Sequence, residues 1–221
     1  MNEPSSNYRD TWNRLSETLD SALMHVAGYI DEERIAFEAE RSLKLVRDTI
    51  GIRPEDTMLE IGCGVGRIGK VLAPKIRRWI GCDVSDNMLR HGATWLAGLG
   101  NVELVRINGH DLQPVPDASV DAVYCSVVFM HLEEWDRYAY VKEAFRVLRP
   151  GGRFYCDNAN LDSDDGWAVF ESSARFDPNN RPQHLSRCST GTELNVYLRR
   201  AGFREVKTGT AGVWIFAWGQ K

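Results

Sequence analysis

The chain has 221 residues, 43% of them hydrophobic and 26% charged, and its formal net charge is −4. This length and composition are typical of one ordinary soluble α/β domain rather than two. Lys and Arg are interspersed and form no basic face, which argues against nucleic-acid binding through phosphate contacts and against acidic substrates.

The cysteines and the N-terminus indicate the compartment. The five cysteines are odd in number and contain no C-x-x-C pair, which argues against a disulfide framework and a zinc ribbon. The start MNEPSSNYRD lacks a basic stretch followed by an apolar one. The longest uncharged run, residues 208–220, is shorter than the roughly 20 residues of a membrane span. We therefore expect a cytoplasmic location, reduced thiols and no membrane partner.

The apolar pattern divides the chain into a helical lead-in, residues 1–50, and an α/β domain, residues 51–221. In the lead-in, apolar residues recur at helix spacing after Asp31, a candidate cap, and Gly51 ends the run. From Thr57 short apolar runs alternate with helices, as in a parallel sheet with crossover helices. The predicted strands are 58–61, 79–83, 102–107, 120–126, 153–158, 203–209 and 213–218. The predicted helices are 67–72, 86–99, 133–148 and 192–201, the last with a Thr190/Glu193 capping box.

Two connections depart from this alternation. Residues 108–119 contain Pro114 and Pro116, which predict a loop in place of a full crossover helix. Residues 159–187 are polar, contain two further prolines and are long for a connection inside a compact domain. We interpret this second segment as an insertion that caps a ligand site.

The first predicted strand passes into the first predicted helix through a glycine-rich run, LEIGCGVGRIG, residues 59–69. Such glycines permit close backbone approach, and the helix N-terminus behind them can hold a carboxylate or phosphate. The spacing Gly64-x-Gly66-x-x-Gly69 also satisfies the dinucleotide-binding fingerprint. Asp83 ends the second predicted strand, where a carboxylate can accept both hydroxyls of a ribose. These two features suit a nicotinamide and a sulfonium cofactor equally.

Two later motifs separate these alternatives. NGHDL, residues 108–112, ends the third predicted strand, and RVLRPGGR, residues 146–153, leads from a helix into the fifth. With four motifs in this order, the chain from Pro54 to Lys221 resembles the class I S-adenosylmethionine-dependent methyltransferases, in their small-molecule, type 11-like subgroup. The resemblance implies a Rossmann-like α/β fold, a mostly parallel seven-stranded sheet of order 3-2-1-4-5-7-6 with the last strand antiparallel. It also implies helices on both faces of the sheet, here preceded by the helical lead-in.

The resemblance also implies roles for individual residues toward the cofactor, S-adenosylmethionine. In the family the glycine loop lies beneath the methionine part, the acid after the second strand binds the ribose, and the acid after the third meets the adenine amine. An apolar residue, here Met88, packs on the adenine ring. The cofactor-binding residues expected by position are Glu60, Gly62, Cys63, Gly64, Gly66, Asp83, Val84, Met88, Asp111, Leu112, Ser126 and Val127.

Catalysis and acceptor binding rest on residues near the same edge of the sheet. His131 follows the fourth predicted strand and is the best candidate for a general base, because an ordinary imidazole has a pKa close to the operating pH. A helix-capping or pocket-lining role explains it as well. Asp157 ends the fifth predicted strand and is the second catalytic candidate. The residues expected to contact the acceptor are Tyr8, Trp12, His131, Trp167 and His184.

A metal ion is considered but not predicted. Asp157 and Asp162 are the best candidates to hold Mg²⁺, since hard cations prefer clustered oxygen ligands. A solvated acidic loop explains these residues better.

The predicted function is O-methylation of a hydroxyl on a small molecule, such as a sugar, glycoside or polyketide-like metabolite. N- or C-methylation of a small metabolite, a nicotinamide-dependent oxidoreductase and a non-catalytic adenosyl-ligand sensor remain as alternatives. The sequence predicts no nucleic-acid partner and does not distinguish a monomer from a homodimer.

Overall fold

A seven-stranded sheet of order β3-β2-β1-β4-β5-β7-β6 organises the chain. The structure is a computed structural model that describes residues 7–221. β7 pairs antiparallel with both β5 and β6, and the pairs among the other strands are parallel. The sheet order and the antiparallel last strand are those that the family resemblance implies. The strands are β1 Thr57–Ile61, β2 Arg78–Asp83, β3 Val102–Arg106, β4 Val120–Cys125, β5 Leu148–Ala159, β6 Arg204–Ala211 and β7 Trp214–Gln220.

Eight α-helices surround this sheet in the described residues. Three of them, α1 to α3, make up the predicted lead-in, whose first six residues lie outside the described part. The helices are α1 Tyr8–Leu15, α2 Leu19–Ala27, α3 Glu32–Ile50, α4 Arg67–Leu72, α5 Asp86–Trp95, α6 Glu134–Val147, α7 Asp164–Ala174 and α8 Gly191–Ala201. Short 3₁₀ turns occupy Ala73–Lys75 and Phe129–His131.

The helix ends follow the local capping chemistry. The Asp31 side chain accepts the backbone N–H of Arg34 at 2.8 Å and begins α3 as predicted. Thr190 likewise accepts the N–H of Glu193 at the start of α8. The predicted capping box is only half right, because the Glu193 carboxylate pairs with Arg137 at 3.1 Å.

α7 was not predicted. It lies inside the segment 159–187, where Ser163 caps it by accepting the N–H of Gly166 at 3.1 Å. Gly166 is buried, but the larger apolar side chains Trp167 and Phe170 are exposed, so its sequence shows no clear apolar stripe. The two prolines of the segment follow the helix. Residues 108–119 contain no helix, as their prolines predict.

The fold brings the carboxyl ends of β1, β2, β4 and β5 to one edge of the sheet. β1 is buried along its whole length, because apolar clusters cover both sheet faces. The backbone between β1 and α4 therefore meets the ends of β2 and β4 at the point where ligands bind open α/β sheets. Within residues 7–221, no helix is long and apolar enough to cross a bilayer.

Candidate active site

The glycine loop after β1 forms the floor of a cavity at this sheet edge. Gly62 has φ +69° and Gly64 has φ +54°, a region that L side chains avoid. A Cβ on Gly62 would lie 2.5 Å from Cγ2 of Val128, and one on Gly64 would lie 2.7 Å from Cγ1 of Val26. Only glycine therefore allows the backbone to stand this close to the walls of the cavity.

We call this space the inner cavity. It measures about 100 Å³ and has walls from β1, β2, the segment after β4, α5 and the first two helices. The predicted cofactor residues that line it are Glu60, Gly62, Cys63, Gly64, Asp83, Val84, Met88, Ser126 and Val127.

Asp83 joins two loops of the inner cavity. One carboxylate oxygen accepts the N–H of Gly64 at 2.8 Å, and the other accepts the N–H of Ser85 at 2.9 Å. Burial raises the pKa of Asp83, while the N–H groups of Ser85 and Gly64 oppose that rise. A carboxylate has about four lone-pair sites, so Asp83 keeps acceptor capacity for a ligand hydroxyl.

Glu60 lies beneath the loop in a buried chain of hydrogen bonds. Trp79 donates to the Tyr124 hydroxyl at 2.9 Å, and that hydroxyl donates to Glu60 at 2.6 Å. Burial raises the pKa of Glu60 to about 8, although the Tyr124 hydrogen bond and the charge of Arg67 lower it. A cationic ligand group beside Glu60 would favour its ionised form.

Three predicted cofactor residues lie outside the walls of the inner cavity. The N–H of Leu112 donates to the Glu143 carboxylate at 2.9 Å, and Asp111 accepts the N–H of Gln113 at 2.9 Å. Gly66 packs behind the loop, where a Cβ would lie 2.7 Å from Leu96. Their roles toward the cofactor stay predictions.

Asp157 is buried behind the loop that follows β4. It accepts the Ser126 hydroxyl at 2.7 Å, the N–H of Val127 at 2.6 Å and the Tyr155 hydroxyl at 3.0 Å. Val127 has φ +61°, which is strained for a β-branched residue. Burial raises the pKa of Asp157, and the N–H of Val127 is the main group opposing it. Asp157 thus holds the strained loop in place but does not line the inner cavity.

His131 lies in the 3₁₀ turn after β4. Its Nδ1 donates to the carbonyl oxygen of His184 at 2.8 Å, which leaves Nε2 as the acceptor in the neutral ring. Trp12 packs edge-on against the imidazole, with ring centroids 4.9 Å apart. Burial lowers the pKa of His131 to about 4, and the nearby His184, Arg187 and His25 lower it further against the His184 hydrogen bond. This differs from the near-neutral pKa that the sequence suggests.

A second space, the outer cavity, adjoins the first. It measures about 570 Å³ and lies between α2, α7 and the segment 184–186. Trp12, His25 and His131 line both cavities. His184 lines the outer cavity and Tyr8 the inner one.

The remaining candidates lie apart from both cavities. Trp167 is not among the lining residues and instead packs against Phe170, with centroids 5.1 Å apart. In residues 7–221 no group of three or more His, Cys, Asp or Glu side chains is placed to hold a metal ion.

The comparisons with known proteins agree with this architecture. Residues 59–156 match the sequence profile of a family described as "Methyltransferase domain", and this stretch contains the glycine loop, Asp83 and the loops after β3 and β4. The chain therefore has the fold of the class I methyltransferases, and residues 59–156 are similar to their methyltransferase domain. A probable S-adenosylmethionine-dependent methyltransferase of Mycolicibacterium smegmatis is 38% identical over 146 residues, covering 66% of this chain and 51% of that protein.

Other relatives extend the comparison. The demethylmenaquinone methyltransferase of Listeria welshimeri is 31% identical over 143 residues, covering 62% of this chain and 58% of its own. The chain spans about half the length of the curated relatives it matches. A solved Thermotoga maritima structure, described as a SAM-dependent methyltransferase and possible histamine N-methyltransferase, has a TM-score of 0.69 at 20% identity, with 96% and 99% coverage. At that identity the match supports the fold of the methyltransferase domain alone.

Sequence reasoning missed several residues that line the inner cavity. Arg67, the first residue of α4, is one of them. A cation at a helix N-terminus opposes the helix dipole, and this mismatch was a readable sign of a nearby anion. His25 and Val26 from α2 are others, but nothing local connects them to a site that follows them by some 35 residues.

Proposed function

We propose that this chain transfers a methyl group from S-adenosylmethionine to a hydroxyl of a small molecule. The observation that carries the proposal is the cradle of the inner cavity, where Gly62 and Gly64 adopt positive φ beside the buried carboxylate of Asp83. Any side chain at either glycine would enter that space. The cradle therefore fits a ligand that needs close backbone contact and a ribose-binding acid.

The residues that would hold the cofactor differ in charge along the inner cavity. Asp83 would accept the ribose hydroxyls, and Met88 and Val84 would pack on the base. At the other end, Glu60 and Arg67 line the wall and suit the amino and carboxylate groups of the methionine part. When bound, S-adenosylmethionine supplies an electrophilic methyl group on a sulfonium, whose bonding electron pair stays on sulfur when the methyl leaves.

His131 would act as the general base toward the acceptor. Its Nε2 is the free acceptor of the ring, because the His184 carbonyl fixes the proton on Nδ1. The acceptor oxygen would form its bond to the methyl carbon while its proton passes to this Nε2. A positioned general base typically contributes about 10²–10⁴-fold, and alignment of the two reactants contributes more.

Asp157 would support this chemistry as a positioning residue. It fixes Ser126 and Val127, which line the inner cavity, whereas Asp157 itself does not line it. No step in the proposal needs a metal ion at Asp157 or Asp162.

A second candidate function is methylation of a quinol ring. The similarity to a demethylmenaquinone methyltransferase, 31% identical over 62% of the chain, favours it. The two candidates differ in the atom that receives the methyl group, so the linkage in the product separates them.

The first experiment is a binding test. S-adenosylhomocysteine and NADH are each titrated into the protein, and the unfolding temperature is followed, since a ligand that binds the folded state raises it. We expect a shift with S-adenosylhomocysteine alone. A shift with NADH alone would favour the oxidoreductase alternative and contradict the proposal.

The second experiment tests catalysis. Methyl-labelled S-adenosylmethionine is incubated with the protein and a fractionated metabolite extract, with and without EDTA. We expect a labelled O-methyl product that chelation does not reduce. If S-adenosylhomocysteine binds but no fraction of the extract acquires the labelled methyl group, the result would favour a non-catalytic sensor and contradict the proposal.

A further inference from the structure

The volume and lining of the outer cavity indicate what kind of acceptor it fits, which the sequence does not. Its volume of about 570 Å³ lies within the range of small-molecule sites, about 300–1,000 Å³. It shares Trp12, His25 and His131 with the inner cavity, so a molecule bound in it lies directly against the wall that faces the methyl donor.

The lining of the outer cavity is uncharged apart from its histidines. Among the described residues no Asp, Glu, Lys or Arg contributes to it. The polar groups are imidazoles and the hydroxyls of Ser172, Ser173 and Ser186, and the rest are apolar side chains such as Met24 and Phe176. A charged acceptor would lose its hydration here without gaining an ionic partner.

Two of the apolar side chains that line this cavity are also exposed. Met24 is 49% exposed and Phe176 is 44% exposed. Exposed apolar side chains that line an opening are typical of a surface for an apolar ligand.

We infer that the outer cavity is the acceptor site and that it selects an uncharged, largely apolar molecule whose reactive hydroxyl is of the phenol or enol type. This inference rests on the proposed function. The uncharged, largely apolar lining sets the polarity of the acceptor. The class of hydroxyl follows from the bases in that lining, which in the described residues are the imidazoles of His25, His131 and His184, with no lysine or carboxylate.

The low basicity of His131 limits the class of hydroxyl that it can deprotonate. Since burial lowers the pKa of His131 to about 4, its neutral ring is a poor proton acceptor. A phenol with a pKa of about 10 gives up its proton to such a base more readily than an aliphatic hydroxyl, which is a far weaker acid. No lysine or carboxylate lines the outer cavity in the described residues to supply a stronger base.

Three probes with one carbon skeleton test the inference. They are 2-naphthol, its saturated analogue decahydro-2-naphthol and the carboxylated analogue 6-hydroxy-2-naphthoate. Binding is measured by calorimetry on protein saturated with S-adenosylhomocysteine, and methyl transfer is measured separately with labelled S-adenosylmethionine. We expect 2-naphthol to bind and be methylated, the saturated alcohol to bind but react at least about 100-fold more slowly, and the carboxylate to bind at least tenfold more weakly.

A charge variant locates the site. Ser173→Lys places a cation on the wall of the outer cavity, and Ala174→Lys places the same charge on the next residue, which does not line it. We expect Ser173→Lys to narrow or reverse the preference for 2-naphthol over the carboxylate, while Ala174→Lys leaves the preference unchanged. Both side chains lie near the end of α7 and are at least partly exposed, so neither change threatens the fold.

The outcomes separate this inference from the proposed function. Loss of S-adenosylhomocysteine binding would overturn the proposed function itself. Normal S-adenosylhomocysteine binding, with the carboxylate bound as tightly as 2-naphthol or the saturated alcohol methylated as fast, would overturn the acceptor inference alone. Equal effects of the two lysine variants would show that the acceptor binds elsewhere.

Discussion

The carboxylate of Asp83 connects the glycine loop with the start of α5, because its two oxygens accept the N–H groups of Gly64 and Ser85. In Asp83→Asn one of these N–H groups would face an amide NH₂. Hydrogen bonds to a charged group contribute about 1.5–3 kcal/mol, so we expect S-adenosylhomocysteine affinity to fall about 10- to 100-fold. Calorimetric titration measures this change.

Asp86→Asn is the matched control for Asp83→Asn. Asp86 lies three residues further on, and its side chain is 48% exposed in an ion pair with Arg9. Exposed ion pairs contribute about 0–1 kcal/mol, so this variant keeps nearly full affinity. Equal losses in the two variants would contradict the role of Asp83.

The lowered pKa of His131 leads us to expect an unusual pH dependence of activity. Because its pKa is lowered to about 4, the neutral base persists well below the ordinary value of about 6.5. We expect kcat at saturating substrates to stay level as the pH falls to about 5 and to decline near pH 4. A half-maximal kcat near pH 6.5 would contradict this assignment.

The lowered pKa of His131 also makes the free energy of unfolding depend on pH. A lowered pKa means that the folded state binds this proton less readily than the unfolded state between about pH 4 and 6.5. The free energy of unfolding is therefore unaffected above that range and decreases as the pH falls through it. In His131→Gln this loss disappears, which unfolding in urea at several pH values would detect.

For single residues, the sequence predicts those features that the local geometry of the chain determines. Gly62, Gly64 and Asp83 could be predicted because a tight turn and a strand end leave a local signature. The hydrogen bond from the Leu112 N–H to Glu143 could not, since Glu143 belongs to α6 and follows Leu112 by 31 positions; the role of Leu112 toward the cofactor stays a prediction. The lowered pKa of His131 likewise depends on burial by distant elements.

The first two helices act as a cover for the inner cavity. Tyr8 and Trp12 of α1 and His25 and Val26 of α2 line it, so outward movement of these helices would widen the space for a nucleoside ligand. Asn13 of α1 opposes that movement: its side-chain oxygen accepts from the Ser85 hydroxyl at 2.9 Å and from the N–H of Asn87 at 3.2 Å.

We expect Asn13→Ala to loosen this cover. Removing two partly buried hydrogen bonds costs about 1–3 kcal/mol, so amides of α1 should exchange with deuterium about 5- to 100-fold faster, and bound S-adenosylhomocysteine should leave faster. Arg9→Ala removes only the exposed pair with Asp86 and serves as the control. Unchanged exchange in Asn13→Ala would show that α1 is held by other contacts.

The turn that carries His131 is fastened to α8 by Arg137. This guanidinium is 1% exposed; it donates to the carbonyls of Phe129 and Leu132 at 2.9 and 3.0 Å and pairs with Glu193 at 3.1 Å. The residue is buried far more than the apolar pattern of α6 indicates, because its partners come from two other elements.

We expect Arg137→Ala to lower the free energy of unfolding by about 3 kcal/mol, since it leaves buried carbonyls and a carboxylate without their partner. Arg149→Ala removes a more exposed pair with Asp121 and should cost about 1 kcal/mol or less. Urea unfolding curves compare the two. A loss for Arg137→Ala no larger than for Arg149→Ala would contradict this role.

At the element scale, prediction succeeds where caps and periodicity agree. The bounds of α4 could be predicted fully, and α8 within one residue. The division of the lead-in into three helices and the existence of α7 could not. Gly28 ends α2 with φ +76°, but α1 and α2 pack against α5 and against each other, and their own sequences do not reveal these tertiary contacts, which supply most of a helix's stability.

At the scale of the whole molecule, the strand order places both cavities. β1 pairs with β2 on one side and with β4 on the other, so the chain reverses its direction of winding at β1 and opens a crevice there. The glycine loop, Asp83 and His131 lie at or just after the ends of β1, β2 and β4, which are neighbours in the sheet. The antiparallel β7 lies between β5 and β6, on the side of the sheet remote from the crevice.

The most direct test is a structure of the protein with S-adenosylhomocysteine bound. We predict the ribose hydroxyls within hydrogen-bonding distance of Asp83 and the amino-acid end against residues 62–67. A ligand bound outside this cradle, or a nucleoside with no contact to Asp83, would contradict the central claim.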